Sequence, residues 1–372
     1  MADAISFVRS DEQTMLGTTL AELLEAKVDF DVVRDMSTTS DAIDRPVWDG
    51  IAEMGLVGLH VPEEFGGAGY SMAEVAVVFE QLGRFVAAVP LLSSVMASSA
   101  ILAGASDEQR RRILPSIAGG EAIATLAVYE SAHPADVDGG GATLVSSGDG
   151  FVLNGSKRYV TDAPNADVFL VAASIDGVTA IAVVPSSADG VTVVPTNSLD
   201  PTRPLGEALF DGVLVDAGDV ITDAGDALRS AIDAGVVCLA AEQVGGAQWC
   251  LETSVEYAKN RYQFGRAIGS FQAVKHRCAD MLVAVEHARS VSWHAAASFG
   301  DPIESAVAVP LARSVCSDSF VQAAGDTIQI LGGIGFTWEH EAHLYFKRAK
   351  ADSLLFGSVE SYRDRLADAV GF

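Results

Sequence analysis

The sequence predicts an α+β fold in three parts. These are an N-terminal helical domain over residues 1–120, a central β-sandwich or barrel domain over 121–221, and a C-terminal antiparallel four-helix-bundle domain over 222–372. Three observations predict it. Apolar residues recur every three or four positions in Val75–Leu82 and Arg110–Ile117, the period of a helix with one buried face. From about residue 121, short runs rich in Val, Ile and Thr alternate with Gly, Asp, Asn and Pro, the texture of strands and turns. Beyond about residue 222 the helical period returns in three long segments, Ala227–Arg261, Phe271–Phe299 and Leu311–Leu331.

Each element has a local reason. Pro62–Gly69 is a glycine-rich loop between helical segments. Ser106-Asp107-Glu108-Gln109 reads as a helix start, a capping hydroxyl followed by acidic and amide residues. Phe151–Leu153, Val168–Ala172, Ala180–Val184 and Val191–Val194 read as strands, and Asn154-Gly155 reads as a hairpin turn after the first of them. The short loops between the last helices predict antiparallel neighbours.

Composition narrows the function. The chain has 372 residues, 49% hydrophobic and 20% charged, enough for a large core and too apolar for a disordered chain. Its 24 basic and 50 acidic residues give a net charge of −26, which repels phosphate backbones and anionic lipid. Nucleic-acid and membrane partners are therefore not expected. The apolar stretch Phe169–Pro185 is broken by Asp176 and Gly177, too short to span a bilayer. The first residues carry Asp3, Asp11 and Glu12 and no basic n-region, so a cytoplasmic location is expected. Cys238, Cys250, Cys278 and Cys316 form no CxxC and sit in apolar helical windows, as reduced core thiols do; no metal site is expected.

Two windows invite a ligand. In Tyr257–Arg266 and Ile268–Gln272 a long helix ends at a glycine turn, with Arg261, Gln263, Arg266 and Gln272 around it. Two arginines at one turn suit an anion such as a pyrophosphate, though the residues alone favour an ordinary helix–turn–helix with exposed arginines. Gln329–Thr337 holds Gly332-Gly333-Ile334-Gly335 after a helix, which allows close backbone approach or a plain helix C-cap.

Together the windows resemble the acyl-CoA dehydrogenase family, over nearly the whole chain. Val61-Pro62-Glu63-Glu64-Phe65-Gly66-Gly67 is similar to its N-terminal loop, and Glu80–Arg84 to the helix that follows. Asn154–Lys157 with Tyr159-Val160-Thr161 resembles its β-domain segment beside the flavin, and Tyr257–Met281 is the strongest match. The resemblance implies FAD, with Arg261 and Gln272 on its diphosphate-adenine half. It implies that Gln329 and Gly333 approach the cofactor of a neighbouring subunit. Thr161 would hydrogen-bond the flavin and Tyr159 pack on it, unless Tyr159 is a core residue. Phe264, Gly332 and Ser358 complete the implied cofactor site. An acyl-CoA substrate, an electron-transfer flavoprotein as electron acceptor and a homo- or hetero-tetramer are implied as well.

The resemblance also implies a catalytic glutamate, and the sequence departs from it. Phe356 stands at the usual position, before Gly357-Ser358, and Gly235 stands at the alternative position on the long helix. Neither can take a proton. The nearest carboxylates on this helix are Asp233 and Glu242; Glu242, two helical turns from Gly235 and on the same face, is the candidate base, and its other reading is a buried carboxylate paired with an arginine. Glu360 is a weaker candidate. The family's Thr-Glu-Pro-Gly-like loop reads Tyr129–Asp136, keeping Glu130 and Asp136 and adding a lone His133. These departures suit a subunit whose base comes from a partner chain. The alternatives are a non-catalytic scaffold that stabilises a catalytic paralogue, and an oxidase on the same fold.

Overall fold

The computed structural model describes residues 9–36, 39, 43–131 and 140–372. In chain order the helices and strands are α1 (Asp11–Lys27), α2 (Phe30–Met36), α3 (Arg45–Glu53), α4 (Met72–Phe85), α5 (Leu91–Gly104), α6 (Asp107–Ala118), β1 (Ala124–Ala127), β2 (Thr143–Ser147), β3 (Gly150–Thr161), β4 (Val168–Ile175), β5 (Val178–Pro185), β6 (Val191–Thr196), β7 (Leu205–Asp216), β8 (Val220–Thr222), α7 (Gly225–Asn260), β9 (Tyr262–Gln263), β10 (Arg266–Ala267), α8 (Gln272–Ala297), α9 (Pro302–Leu331), α10 (Ala342–Asp352) and α11 (Val359–Val370). The α+β class read from the sequence is the class observed. Two compact units are formed, one from Met1–Arg34, Met72–Ala87 and Val236–Phe372, the other from Asp35–Ser71 and Ala88–Gly235. Among the described residues no helix is long and apolar enough to cross a membrane.

The second unit holds the β structure. Its strands run in the order β6-β7-β3-β2-β4-β5-β8, with β1 paired in parallel to β4. β2 meets β4 only at Thr143–Ser174, so the network divides into two halves there. Their inner residues share one core: Leu144, Leu153 and Val213 from one half, Val171, Ala182 and Val184 from the other. Phe210 meets Phe169 edge-on across it, 6.1 Å between centroids. This is the expected sandwich.

Asn154-Gly155 is not the hairpin turn that the sequence predicted. It lies inside β3, where the register against β7 shifts between Leu153 and Gly155. Gly155 has φ 147, and a Cβ there would lie 2.7 Å from the Cα of Ala142. The glycine therefore serves a bulge with a close backbone neighbour, a second use of the same residue type. The true β2–β3 turn is at Gly148-Asp149. Ser106 does cap α6, accepting from Gln109 N while Gln109 reaches back to Ser106 N.

The first unit is a helix bundle. α7 and α9 run parallel, because Gln243 meets Ser317 and Ser254 meets Thr327 one after the other along both helices. α8 runs antiparallel to α9, with Arg277 on Asp326 at one end and Cys316 on the Ala288 carbonyl at the other. α4 crosses α7 at very short range: a Cβ on Gly83 would lie 1.9 Å from the Glu242 carbonyl, and one on Gly245 1.8 Å from the Glu80 carbonyl. α9 begins nine residues before the predicted Leu311. Asp301 caps it, accepting from Ile303 N and Glu304 N, and the helix continues through Pro310. Pro310 ordinarily disrupts a helix. Here the residues around it, Ala308, Val309, Ala312 and Arg313, are all buried, so packing outweighs the lost bond.

Candidate active site

The arginine turn lies at the end of α7. Tyr262–Gln263 pairs with Arg266–Ala267 as a minimal hairpin, and Phe264 and Gly265 form its tip at φ 53 and 78. Two consecutive left-handed residues define a type I′ turn. The two arginines differ. Arg266 lies 4.1 Å over the ring of Phe271, which Phe264 also meets edge-on. Arg261 is exposed, and among the described residues no side chain engages its guanidinium. Gln272 is exposed as the first residue of α8, whose preceding Phe271 offers no side-chain cap. An open guanidinium beside uncapped helix N–H groups suits an anionic oxygen.

The glycine window ends α9. Gly332 has φ 65 and ψ −137, a conformation for glycine, and nothing lies within 4 Å of a Cβ built on Gly332 or Gly333. Gln329 is exposed one turn earlier. Tyr257, just before the arginine turn, packs on Ile328 and Leu331, so the two windows share one end of the bundle.

The end of β3 is kinked. Tyr159 and Asp162 have φ 54 and 56, bracketing Val160-Thr161, and the register against β7 shifts between Lys157 and Val160. Residues held in this region cost about 1–3 kcal/mol each and persist where neighbours fix them. Here Thr125 Oγ1 donates to the Thr161 carbonyl at 2.6 Å. Thr161 is buried and Tyr159 is 40% exposed, so Tyr159 is not the core residue that one sequence reading allowed. Of the altered loop, Ala132, His133, Pro134, Ala135 and Asp136 lie outside the described residues. Glu130 accepts from Gly141 N, Ala142 N and the fully buried Lys157 Nζ. Burial pushes its carboxyl up, but Lys157 and the two N–H groups outweigh that and hold it low.

The positions where the resemblance implied a base are held by packing and hydrogen bonds. Phe356 is buried at φ 60, and the carbonyls around it are all engaged: Leu355 and Gly357 by buried Arg313, at 2.7 and 3.2 Å, and Phe356 by Tyr362 Oη at 3.0 Å. Ser358 caps α11, accepting from Ser361 N. A Cβ on Gly235 would lie 2.7 Å from the Met96 sulphur, so a side chain there would have to displace Met96. Glu242 is 2% exposed and ion-paired with the equally buried Arg348. Glu360 is exposed in the first turn of α11. Among the described residues no cluster of His, Cys, Asp and Glu could hold a metal. The four thiols are free, and burial pushes Cys250 up to about 12, far from a reactive thiolate.

Sequence reasoning missed a buried polar group in the second unit. α5 is wholly buried from Leu91 to Ile101, yet carries Ser93, Ser94, Ser98 and Ser99. Ser93 Oγ donates to Asp162 Oδ2 at 2.8 Å, and His60 Nε2 lies 3.1 Å from Ser98 Oγ. Burial lowers the His60 pKa to about 4. Four serines in one apolar helix were the available signal. Their partners lie about 40 to 70 residues away, where spacing does not show them.

Residues 10–121 match the acyl-CoA dehydrogenase N-terminal domain and residues 225–371 its C-terminal domain. The chain is 34% identical over 358 residues to acyl-CoA dehydrogenase IpdE2 of Mycolicibacterium smegmatis, covering 96% of this chain and 98% of that one. The ChsE4-ChsE5 complex from Mycobacterium tuberculosis superposes with a TM-score of 0.91 at 27% identity, over 98% of each chain. The Tcur3481-Tcur3483 steroid ACAD does so with a TM-score of 0.87 at 30% identity, over 97% of this chain and 98% of that one. This chain belongs to the acyl-CoA dehydrogenase family, whose cofactor is FAD. The residues present fit the diphosphate end of that cofactor, since Arg261 is uncommitted and the Gly332-Gly333 backbone is open.

Proposed function

We propose that this chain is the subunit of a hetero-oligomeric acyl-CoA dehydrogenase that lacks the base. The observation that carries this is the closure of all three base positions: phenylalanine at 356, Met96 against Gly235, and Arg348 on Glu242. In this reading the base comes from a partner chain and the segments 1–120, 121–221 and 222–372 act as three domains. The family-model matches at 10–121 and 225–371 support that division. A bound FAD would supply a hydride acceptor for the substrate Cβ. The chain's own residues would hold and orient it: Arg261 would fork onto phosphate oxygens and Gln272 would bind beside it. Phe264 and Gln329 would border the site, and the Gly332-Gly333 backbone would approach the cofactor of a neighbouring subunit. Thr161 would hydrogen-bond the flavin rim with Tyr159 against it, and Ser358 would fix the turn after Phe356. An electron-transfer flavoprotein would take the electrons, in a cytoplasmic pathway. The substrate would be an acyl-CoA of steroid or fatty-acid origin. The names of two-component relatives, among them a steroid ACAD, support both the partner and the substrate.

Flavin content and anaerobic bleaching by acyl-CoAs test this, with the chain alone and with a co-encoded paralogue. Bleaching only when the paralogue is present is expected. Full bleaching by the chain alone would overturn the reading, and a complex that never bleaches would favour the scaffold.

A further inference from the structure

We propose that Asp162 is a positioning residue for the flavin: held by Ser93 of α5, it fixes the direction in which Thr161 and Tyr159 face the cofactor. The proposal rests on the placement of Thr161 at the flavin rim above and adds what holds it there.

Asp162 lies just past the end of β3 in the left-handed region, at φ 56 and ψ 18. Asp and Asn tolerate that region better than most residues, because their short side chains can hydrogen-bond the local backbone. Here the carboxylate makes no such bond to the turn it begins, Ala163–Asn165. It reaches α5 instead, where Ser93 Oγ donates to its Oδ2 at 2.8 Å. Both residues are buried, Asp162 at 4% exposure and Ser93 at 1%. The contact holds in either protonation state. An ionised Asp162 accepts from Ser93. A protonated one donates to it, and Ser93 then gives its hydrogen to the Pro90 carbonyl, 2.9 Å away. The backbone is held as well: Asp162 N donates to the Pro204 carbonyl at 2.7 Å, and the Asp162 carbonyl accepts from Asn165 N at 2.9 Å.

This clamp controls the residues just before it. Val160-Thr161 lies between two left-handed residues, Tyr159 and Asp162, so the direction of Thr161 depends on both. The Thr161 carbonyl is taken by Thr125 Oγ1, and the backbone is in register with Leu205. The Thr161 hydroxyl remains to offer a ligand, and its aim follows from the angle at which the chain leaves β3. That angle is set at Asp162. Left-handed conformations persist only where neighbours over-determine them. At Asp162 the neighbours are Ser93, Pro204 and Asn165, from three different segments.

The test reads flavin binding in the complex of this chain with its paralogue, and amide hydrogen exchange of residues 159–163 in the chain without flavin. Asp162→Ala and Ser93→Ala should each speed that exchange, weaken flavin binding about tenfold and shift the visible flavin bands. Asp162→Asn suits the left-handed turn and can keep the bond to Ser93, so it should restore all three. Thr161→Val should weaken flavin binding and shift the bands without speeding exchange. If the alanine variants leave either the exchange or the flavin as in wild type, the proposal fails while the FAD reading stands. If Asp162→Asn behaves like Asp162→Ala, charge acts in place of geometry and the proposal fails as well. Where Asp162→Ala does not fold, Ser93→Ala decides between these outcomes. If Thr161→Val leaves the flavin unmoved, Thr161 is not at the flavin rim, and that placement falls together with the proposal.

Discussion

The Met96 side chain occupies the space that any side chain at Gly235 would need: its sulphur lies 2.7 Å from the Cβ position, its Cγ and Cε 3.0 Å. The space at Gly235 is thus filled from α5, so a longer side chain there has to displace Met96. Gly235→Glu alone should lower stability by about 1–3 kcal/mol through overpacking. Met96→Ala alone should cost about 2–5 kcal/mol as a cavity. The double variant should cost clearly less than the sum, with a coupling of about 0.5–3 kcal/mol. Urea unfolding of the four proteins measures this, and strict additivity would show that the two sites do not share space.

Glu242 and Arg348 form a buried ion pair on α7 and α10, the structural alternative to a catalytic base. Glu242→Gln leaves the guanidinium charge buried without its carboxylate, so a loss of about 3–5 kcal/mol is expected. Glu242→Leu with Arg348→Met should recover much of that, because both charges leave together. Below its melting temperature, the complex carrying Glu242→Gln should turn over like wild type. A large fall in turnover with unchanged stability would instead make Glu242 the base.

The fold was legible because its signals are local. Helical period, strand texture and the Ser106 capping box each act within a few residues. Asn154-Gly155 misled because a glycine that turns a chain and one that accommodates a bulge read alike; Ala142, the neighbour that distinguishes them, is thirteen residues before Gly155. The segment read from Leu311 starts nine residues earlier, because Pro310 sits within the helix, held by burial that only the folded bundle supplies. Phe356 and Gly235 were legible as residues that carry no carboxylate. Their surroundings were not, nor was the partner of Glu242, since Met96 and Arg348 come from other helices. His60 was invisible for the same reason, its serines lying on α5.

Arg261 separates from Arg266 by its surroundings, and the two should separate in flavin binding. Arg261→Ala removes a charge-assisted contact worth about 1.5–3 kcal/mol, about ten- to a hundredfold in flavin affinity. The apo chain should keep its stability within about 0.5 kcal/mol, because the side chain is exposed. Arg266→Ala removes a cation on Phe271 and should act mainly on the turn, at about 0.5–1 kcal/mol. Flavin retention and apo melting, measured together, check both. Equal flavin losses for the two variants would contradict the assignment.

His60 predicts an acid limb in the stability curve. Its pKa is about 4 in the folded protein against 6.5 for the ordinary side chain, because burial disfavours the imidazolium. Between those values the unfolded chain binds a proton that the folded chain refuses. Stability therefore falls as pH falls, starting near 6.5 and ending near 4. A shift of this size corresponds to roughly 3 kcal/mol, fully present above 6.5 and lost by about pH 4. His60→Gln keeps a polar side chain and cannot titrate, so that part of the slope should vanish. Other groups titrate in the same range, and the difference between wild type and variant isolates His60. Urea unfolding at half-unit pH steps gives that difference directly. A constant offset across the whole range would mean that His60 is protonated alike in both states, and would return the imidazole to solvent.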